Sequence, residues 1–344
     1  MPGNNTLALL SDNLMTVTVL VYSLAMLAYA AEFAFGRVQR QAPAAEQEKV
    51  LVGAGVASGT GSAEQSPAAT TGGDTGGAGG ADTPTECPGA AGRIGRVAVA
   101  LTFLGWVAHL TSIVARGVAA GRLPWGNMYE FTAMLTFAAV TAYLVLLVRQ
   151  RVRYLGLFVL FPVVLGLGIA VTVLYVPAGP LMPALHSYWL GIHVTAAITG
   201  SGIFTVGTAA TVLYLTAQRY ERRRAADKKV GFSALAERLP SKETLDRVAY
   251  RTIAFGFPIW TFALIAGAIW AEAAWGRYWG WDPKETWMLI TWVIYAGYLH
   301  ARATAGWKGT RAAVIALLGF AAFLFNYFGV NMWITGLHSY SGLS

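Results

Sequence analysis

The sequence predicts an all-α fold: a polytopic membrane helix bundle of about eight transmembrane helices, with the N and C termini both extracytoplasmic. Three observations carry that expectation. The 344 residues are 56% hydrophobic and only 12% charged. Apolar runs of about twenty residues, the length that crosses a hydrocarbon core of roughly 30 Å, recur eight times. The 25 Lys and Arg residues are also unevenly shared. With the N-terminus outside, all except Arg116, Arg122, Arg277 and Lys284 fall on one side, which the positive-inside rule makes cytoplasmic. That bias explains the net charge of +8 without a nucleic-acid partner.

The first run, 14–36, has no basic stretch before it, whereas Arg37 and Arg40 follow it. Residues 1–40 are therefore expected to stay as a membrane anchor rather than to be cleaved as a signal peptide. Residues 41–95 are rich in Ala, Gly, Thr and Ser and are interrupted by Pro43, Pro67, Pro84 and Pro88. Such a segment cannot bury enough apolar surface to order itself, which predicts a disordered cytoplasmic linker. It holds the single cysteine, Cys87, so the chain forms no internal disulfide and runs no dithiol chemistry by itself.

Residues 96–344 carry the other seven runs, at 96–115, 129–149, 153–176, 188–217, 252–271, 286–305 and 311–331. The run at 188–217 is longer than a straight crossing needs, so it is expected to tilt or to project beyond the bilayer. The basic segment 218–250 spaces Phe232, Leu235, Leu239, Leu245 and Val248 in a loosely helical way. It is expected either as an amphipathic helix on the anionic inner leaflet or as a solvated hairpin.

Three short external loops remain: 116–130, 176–187 with Pro177, Pro180, Pro183 and His186, and 271–287. Each is too short to fold alone, so they are expected to cluster on the bundle with the tail beyond Asn331. The loop at 271–287 places Trp275, Trp279, Trp281 and Trp287 within thirteen residues. A membrane-surface belt needs only one or two aromatic anchors per helix end. This density points instead to a flat apolar platform for a flat apolar ligand.

Five histidines are present: His109, His186, His193, His300 and His338. Any one alone is ordinarily a packing residue, but ionisable groups inside a membrane are expensive and tend to mark function. His193, near the outer end of the fifth run, and His338, beyond the outer end of the eighth, share the depth of the tryptophan loop. Two imidazoles from separate helices suit the two faces of a haem iron. His186 lies seven residues before His193, roughly 10 Å along a helix, so the two cannot share one iron. His300 is deeper and suggests a second, intramembrane haem, with its other ligand from His109 or from a histidine of another chain.

Asp282, Pro283 and Glu285 have the pattern of N-cap, N1 and N3 at a helix start. That start would fix the direction in which Trp279 and Trp281 point. Arg277, Lys284, Arg116 and Arg122 are rare external cations, available to haem propionates or equally as snorkelling anchors.

The pattern Trp275-Gly-x-x-Trp279-x-Trp281-Asp282-Pro-x-Glu285 resembles the tryptophan-rich "WWD" signature of haem-handling proteins in cytochrome c maturation. More narrowly, the segments at 183–194, 298–302 and 336–340, with Pro124 to Glu130, resemble the CcsA (ResC) family of the two-component haem lyase. The resemblance runs from about residue 96 to the C-terminus.

It implies that His193 and His338 bind haem b axially over the tryptophan loop, and that His300 binds haem within the membrane on its way outward. It implies a CcsB/ResB-type membrane partner supplying the other inner ligand, and an apocytochrome c as protein substrate. The implied reaction joins haem vinyl groups to the thiols of a Cys-x-x-Cys-His segment, making the complex a holocytochrome c synthase. His193, His338, Trp275, Trp279, Trp281 and Asp282 would form the catalytic group. Trp287 and Arg277 would join the histidines and tryptophans in holding haem. An extracytoplasmic thiol reductant is a further candidate partner, and the bacterial cytoplasmic membrane is the expected location, ahead of the thylakoid. The rival functions are a haem exporter or chaperone without lyase activity, a b-type diheme electron-transfer subunit, and a solute transporter, which would need a broken-helix site that is not evident.

Overall fold

The computed structural model describes residues 2–35, 90–179, 187–226 and 233–338. Linker residues 41–89, Cys87, Phe232 and His186 therefore lie outside the described residues, whereas residues 90–95, expected as disordered linker, are the helical start of the second span. Among the described residues all regular structure is helical. We label the helices α1 (Pro2–Phe35), α2 (Ala90–Ala120), α3 (Met128–Arg149), α4 (Gly156–Thr172), α5 (Tyr188–Ala225), α6 (Ser233–Ala236), α7 (Lys242–Trp275), α8 (Pro283–Ala303), α9 (Thr310–Leu324) and α10 (Val330–Trp333). A π-helical turn, Phe325–Gly329, joins α9 to α10.

Each of the eight expected runs is mainly helical where it is described, with 153–176 losing its helix after Thr172 and 286–305 after Ala303. Among the described residues seven helices are long and apolar enough to cross a membrane, and α8 is not among them. It places Lys284, Glu285, His300 and Arg302 within 21 residues, which dilutes its apolar character.

Helix α5 is the hub. Its most apolar stretch is 83% buried, against 28–44% for the other spans, and it packs on α3, α7 and α9. At 38 residues it extends about 57 Å, so it projects beyond a bilayer as expected. Its basic run Arg222–Arg224 is simply its last turn. The described ends of the segment 218–250 are thus no separate surface helix, and Arg219, Glu221, Arg222 and Arg224 on the first of them are exposed. Those ends prolong α5 and α7, and Leu245 and Val248 are buried in the core. Neither Pro nor Gly falls between Thr208 and Ala225, so nothing stops the α5 helix at the membrane surface.

One core joins α1, α3, α4 and the inner half of α5 around Tyr22, Tyr29, Tyr143 and Leu160. A second, strongly aromatic core stacks Phe204 on Tyr295 with centroids 4.1 Å apart and surrounds Trp260, Phe323 and Tyr327. Close helix approach is set by small residues, as in other membrane bundles. A Cβ on Gly202 of α5 would lie 2.7 Å from the α3 backbone at Ala138 and Ala139.

Several helix ends gather at one end of the bundle. Ser11 of α1 bonds to Ser112 of α2, and Tyr175 beyond α4 donates to Asp12 at 2.7 Å. Arg116 bonds to Glu130 at the start of α3. His338 meets Asp282 at the start of α8. The start of α1 and the residues before 338 therefore share one side.

Gly202→Ala should destabilise the fold by about 1–3 kcal/mol, the usual cost of overpacking. Gly168→Ala, where an added Cβ meets nothing within 4 Å, should leave stability close to wild type. Thermal unfolding of the two purified variants compares them directly.

Candidate functional site

A cavity opens where α3, α5 and α8 begin and where α7 and the final segment end. It is bounded by Trp125, His193, Trp270, Trp279, Lys284 and His338 near the mouth, and by Trp260, Phe323 and Tyr327 in its depth. It holds about 1170 Å³ of atom-free space, open water included. Its walls are chiefly apolar and aromatic, with few convergent polar groups, as expected of a cofactor pocket.

His193 sits two turns into α5 because Ser187 caps that helix through the Trp189 N–H. Its Nδ1 lies 2.8 Å from the carbonyl oxygen of Ala263 on α7. That carbonyl can only accept, so Nδ1 carries the proton and Nε2 keeps a free lone pair. The approach depends on Gly267, where a Cβ would come within 2.7 Å of the imidazole Nδ1 and Cε1. The indole of Trp270 lies nearly parallel to the ring, at 12° and 6.0 Å.

His338, on the segment after α10, repeats the arrangement. Its Nδ1 is 2.8 Å from Asp282 Oδ2, again leaving Nε2 free. Burial pushes the His338 pKa down, and the Asp282 carboxylate opposes this without reversing it. Burial in turn raises the Asp282 pKa, yet bonds from His338, Leu337 N and Lys284 N bring it below the ordinary carboxylate value. The pair is thus a neutral imidazole donating to a carboxylate. Trp270 touches this ring too, at 5.4 Å, and so does Trp275, at 4.8 Å. Trp270 therefore contacts both imidazoles, and both histidines line one cavity.

The helix-start pattern is realised as a capping box. Asp282 accepts from Lys284 N, and Glu285 Oε2 accepts from Asp282 N at 3.1 Å and from Gly280 N at 2.8 Å. Asp282 Oδ1 also accepts from Leu337 N at 2.7 Å, tying the segment that carries His338 to α8.

The tryptophans divide. Trp279 lines the cavity, while Trp275 backs His338 from behind. Trp281 is 69% exposed, holds φ at +59°, and meets only the edge of Trp279. Trp287 packs on Phe325 instead of lining the cavity, and Arg277 folds across Gly280. A single shelf of four indoles is therefore not what forms. The loop's left-handed residues, Gly276 and Trp281, turn successive side chains different ways.

His300 is exposed in the last turn of α8. His109 is fully enclosed, its ring edge-on to Tyr22 of α1 and Phe137 of α3. The alternative pairing of these two histidines on one inner haem is therefore not formed. Similar depth along the chain had placed them together, whereas packing puts them on different sides of the bundle.

The arginines of the outer loops also differ from expectation. Arg116 and Arg122 are neither propionate donors nor snorkelling anchors. Both ion-pair with Glu130, whose side chain is fully buried, at 2.9 and 2.7 Å. Glu130 accepts from Gly126 N as well, and Asn127 caps α3 through Glu130 N. The segment Pro124 to Glu130 is thus a braced turn that presents Trp125 and Met128 to the cavity.

Sequence reasoning missed Trp270, which an apolar helix end disguises as a belt residue, Asn326 and Tyr327 in the π turn, and Asn331 in α10. That turn reaches the cavity floor, and such bulges frequently occur at functional sites.

Comparison with known proteins places this geometry in context. A family described as cytochrome c assembly protein matches residues 125–338. A cytochrome c biogenesis protein CcsA of Guillardia theta is 37% identical over 71% of this chain and 85% of its own. One of Gloeobacter violaceus is 36% identical over 67% and 82%. Among solved structures, a cytochrome c haem lyase CcmF superposes on 94% of this chain with a TM-score of 0.61 at 16% identity. The chain spans 46% of that longer protein, and the likeness concerns the fold.

Asp282→Ala should release the segment before His338 and speed protease cleavage within 334–338. Asp282→Asn, itself a good N-cap, should protect that segment better. Limited proteolysis followed by mass spectrometry measures both.

Proposed function

The chain belongs to the cytochrome c assembly family, among the CcsA proteins, and from that membership we propose that it is the membrane subunit of a holocytochrome c synthase. In this reading it carries haem b to the extracytoplasmic face and presents it for thioether attachment to an apocytochrome c. The observation that carries the proposal is the pair of imidazoles, His193 and His338. Each has Nδ1 anchored to an acceptor and Nε2 free, and each lines one aromatic cavity at one end of the bundle.

The donor set fits haem. Neutral imidazole is the usual axial ligand, and a second hydrogen bond on Nδ1 is what orients a ligating histidine and raises its basicity. Planar aromatic walls suit a planar macrocycle. Haem supplies the vinyl groups that become the covalent links. The substrate supplies the thiols, consistent with the single cysteine of this chain lying in the linker. Each S–H adds across a vinyl C=C, so sulfur bonds one carbon and hydrogen ends on the other, with nothing lost and no net redox change.

The contribution of this chain is orientation. His193, held between Ala263, Gly267 and Trp270, is the fixed ligand. His338 lies on the chain segment after α10 and is held mainly through Asp282, which makes it the ligand for the substrate histidine to replace. Trp279 and Trp125 wall the cavity, and Trp275 and Trp270 keep the His338 ring in place. Trp281 and Tyr278, exposed beside the mouth, offer aromatic contacts to an arriving polypeptide.

His300, exposed near the other end of α8, is the proposed ligand of an inner haem whose second ligand comes from a CcsB/ResB-type partner. The proposed setting is the bacterial cytoplasmic membrane, with the cavity facing outward. All four basic residues on the sparse side, Arg116, Arg122, Arg277 and Lys284, belong to the cavity end, which supports that orientation.

His193→Gly and His338→Gly should each abolish the Soret band of the outer haem and covalent labelling of a Cys-x-x-Cys-His peptide, with added imidazole restoring part of both. Unchanged spectra and labelling in both variants would rule out the clamp. A wild-type complex that retains haem but never labels the peptide would indicate an exporter without lyase activity. His300→Ala should lower total haem in the purified complex more than protein yield.

A further inference from the structure

We propose that Lys284 is the anchor for a carboxylate of the bound tetrapyrrole, a haem propionate, and so sets which edge of the macrocycle faces the vinyl-reactive side. This rests on the haem reading and adds the orientation of the ring about the axis through its iron. Of the four cations at the cavity end, Arg116 and Arg122 are consumed by buried Glu130. Arg277 crosses Gly280 and does not line the cavity. Lys284 does line it, and among the described lining residues it is the only Lys or Arg.

Its ammonium has neither a hydrogen bond nor an ion pair to any described residue. The nearest carboxylate, Asp282, is committed elsewhere. Its two oxygens accept from Leu337 N, His338 Nδ1 and the backbone N–H of Lys284 itself. Glu285, on the same wall, spends Oε2 on Gly280 N and Asp282 N and leaves Oε1 without a partner. A ligand carboxylate therefore finds only an acceptor oxygen at Glu285 and a cation at Lys284. The indole N–H groups of Trp260 and Trp270, both in the cavity wall, are buried and also lack acceptors.

Near the mouth the wall thus offers a cation and the Trp270 indole N–H with nothing of the protein to receive them. An unmet buried donor is costly, and a ligand bearing carboxylate oxygens beside an apolar ring meets the need. The Asp282 cap and Pro283 fix the first turn of α8, so the Lys284 stem starts from a rigid position next to His338.

The test compares haemin with haemin dimethyl ester, which keeps the ring and iron but masks both carboxylates. Each is titrated by Soret absorbance into the full chain in nanodiscs, as wild type, Lys284→Gln and Lys284→Arg. Lys284→Gln should bind haemin about tenfold more weakly, in line with the loss of one charge-assisted hydrogen bond. It should bind the ester as wild type does, and Lys284→Arg should recover most of the haemin affinity. Haemin affinity within twofold of wild type in Lys284→Gln overturns the anchor. So does an equal loss for haemin and ester with no recovery in Lys284→Arg. A wild-type chain that binds neither ligand overturns the haem reading along with the anchor, and is told apart from failure of the anchor alone.

Discussion

The carboxylate of Asp282 accepts from Lys284 N, Leu337 N and His338 Nδ1, and those three bonds join a helix start, a late chain segment and a candidate iron ligand. Because the same two oxygens do all three, the pitch of α8, the course of residues 334–338 and the setting of the imidazole cannot vary independently. The Pro283 ring preorganises the turn, and Glu285 closes the reciprocal bond. A partly buried carboxylate in such a place would be unfavourable without partners, and the site gives it a full set. The result is a ligand-bearing segment that is docked by hydrogen bonds and short on apolar burial, since Ile334 and Leu337 stay exposed. Such a segment can be displaced without unfolding the bundle.

The opposite wall is rigid for a different reason. Glu130 sits fully buried between two arginines, and breaking such a cluster leaves uncompensated charge in a low-dielectric setting. That cluster bolts the turn before α3 to α2, and Arg122 reaches the Gly179 carbonyl beyond α4. Trp125 and Met128 are therefore presented from a scaffold, whereas His338 is presented from a tether. His193 belongs with the scaffold, seated against Gly267 and the Ala263 carbonyl. Under the proposed function, a fixed His193 and a releasable His338 would suit handing a planar ligand onward.

Much of this was legible in the chain. Apolar run length located every long helix, because a membrane crossing imposes length and composition locally. The capping box at Asp282 and Glu285 was legible for the same reason, since a helix start is decided within four residues. His193 and His338 share one cavity end, as their counted depth suggested. The segment 218–250 was misjudged. Its hydrophobic spacing suits a membrane surface and a helix–helix contact equally well, and only the neighbouring faces of α5 and α7 choose between them.

What the sequence by itself determined is therefore the set of helices, the uneven distribution of charge along the chain, and the local turn chemistry of the tryptophan loop, all governed by interactions over a few residues. Tertiary structure alone decided which polar groups meet. It gave Arg116 and Arg122 to Glu130, enclosed His109 between α1 and α3, turned His300 outward, and brought Trp270 against both cavity histidines. Those outcomes depend on which helix faces and loops pack together, down to pairs only 8 and 14 residues apart in the chain. Side chains of the same type at the same depth are otherwise equivalent, so spacing along the chain carries no record of the choice.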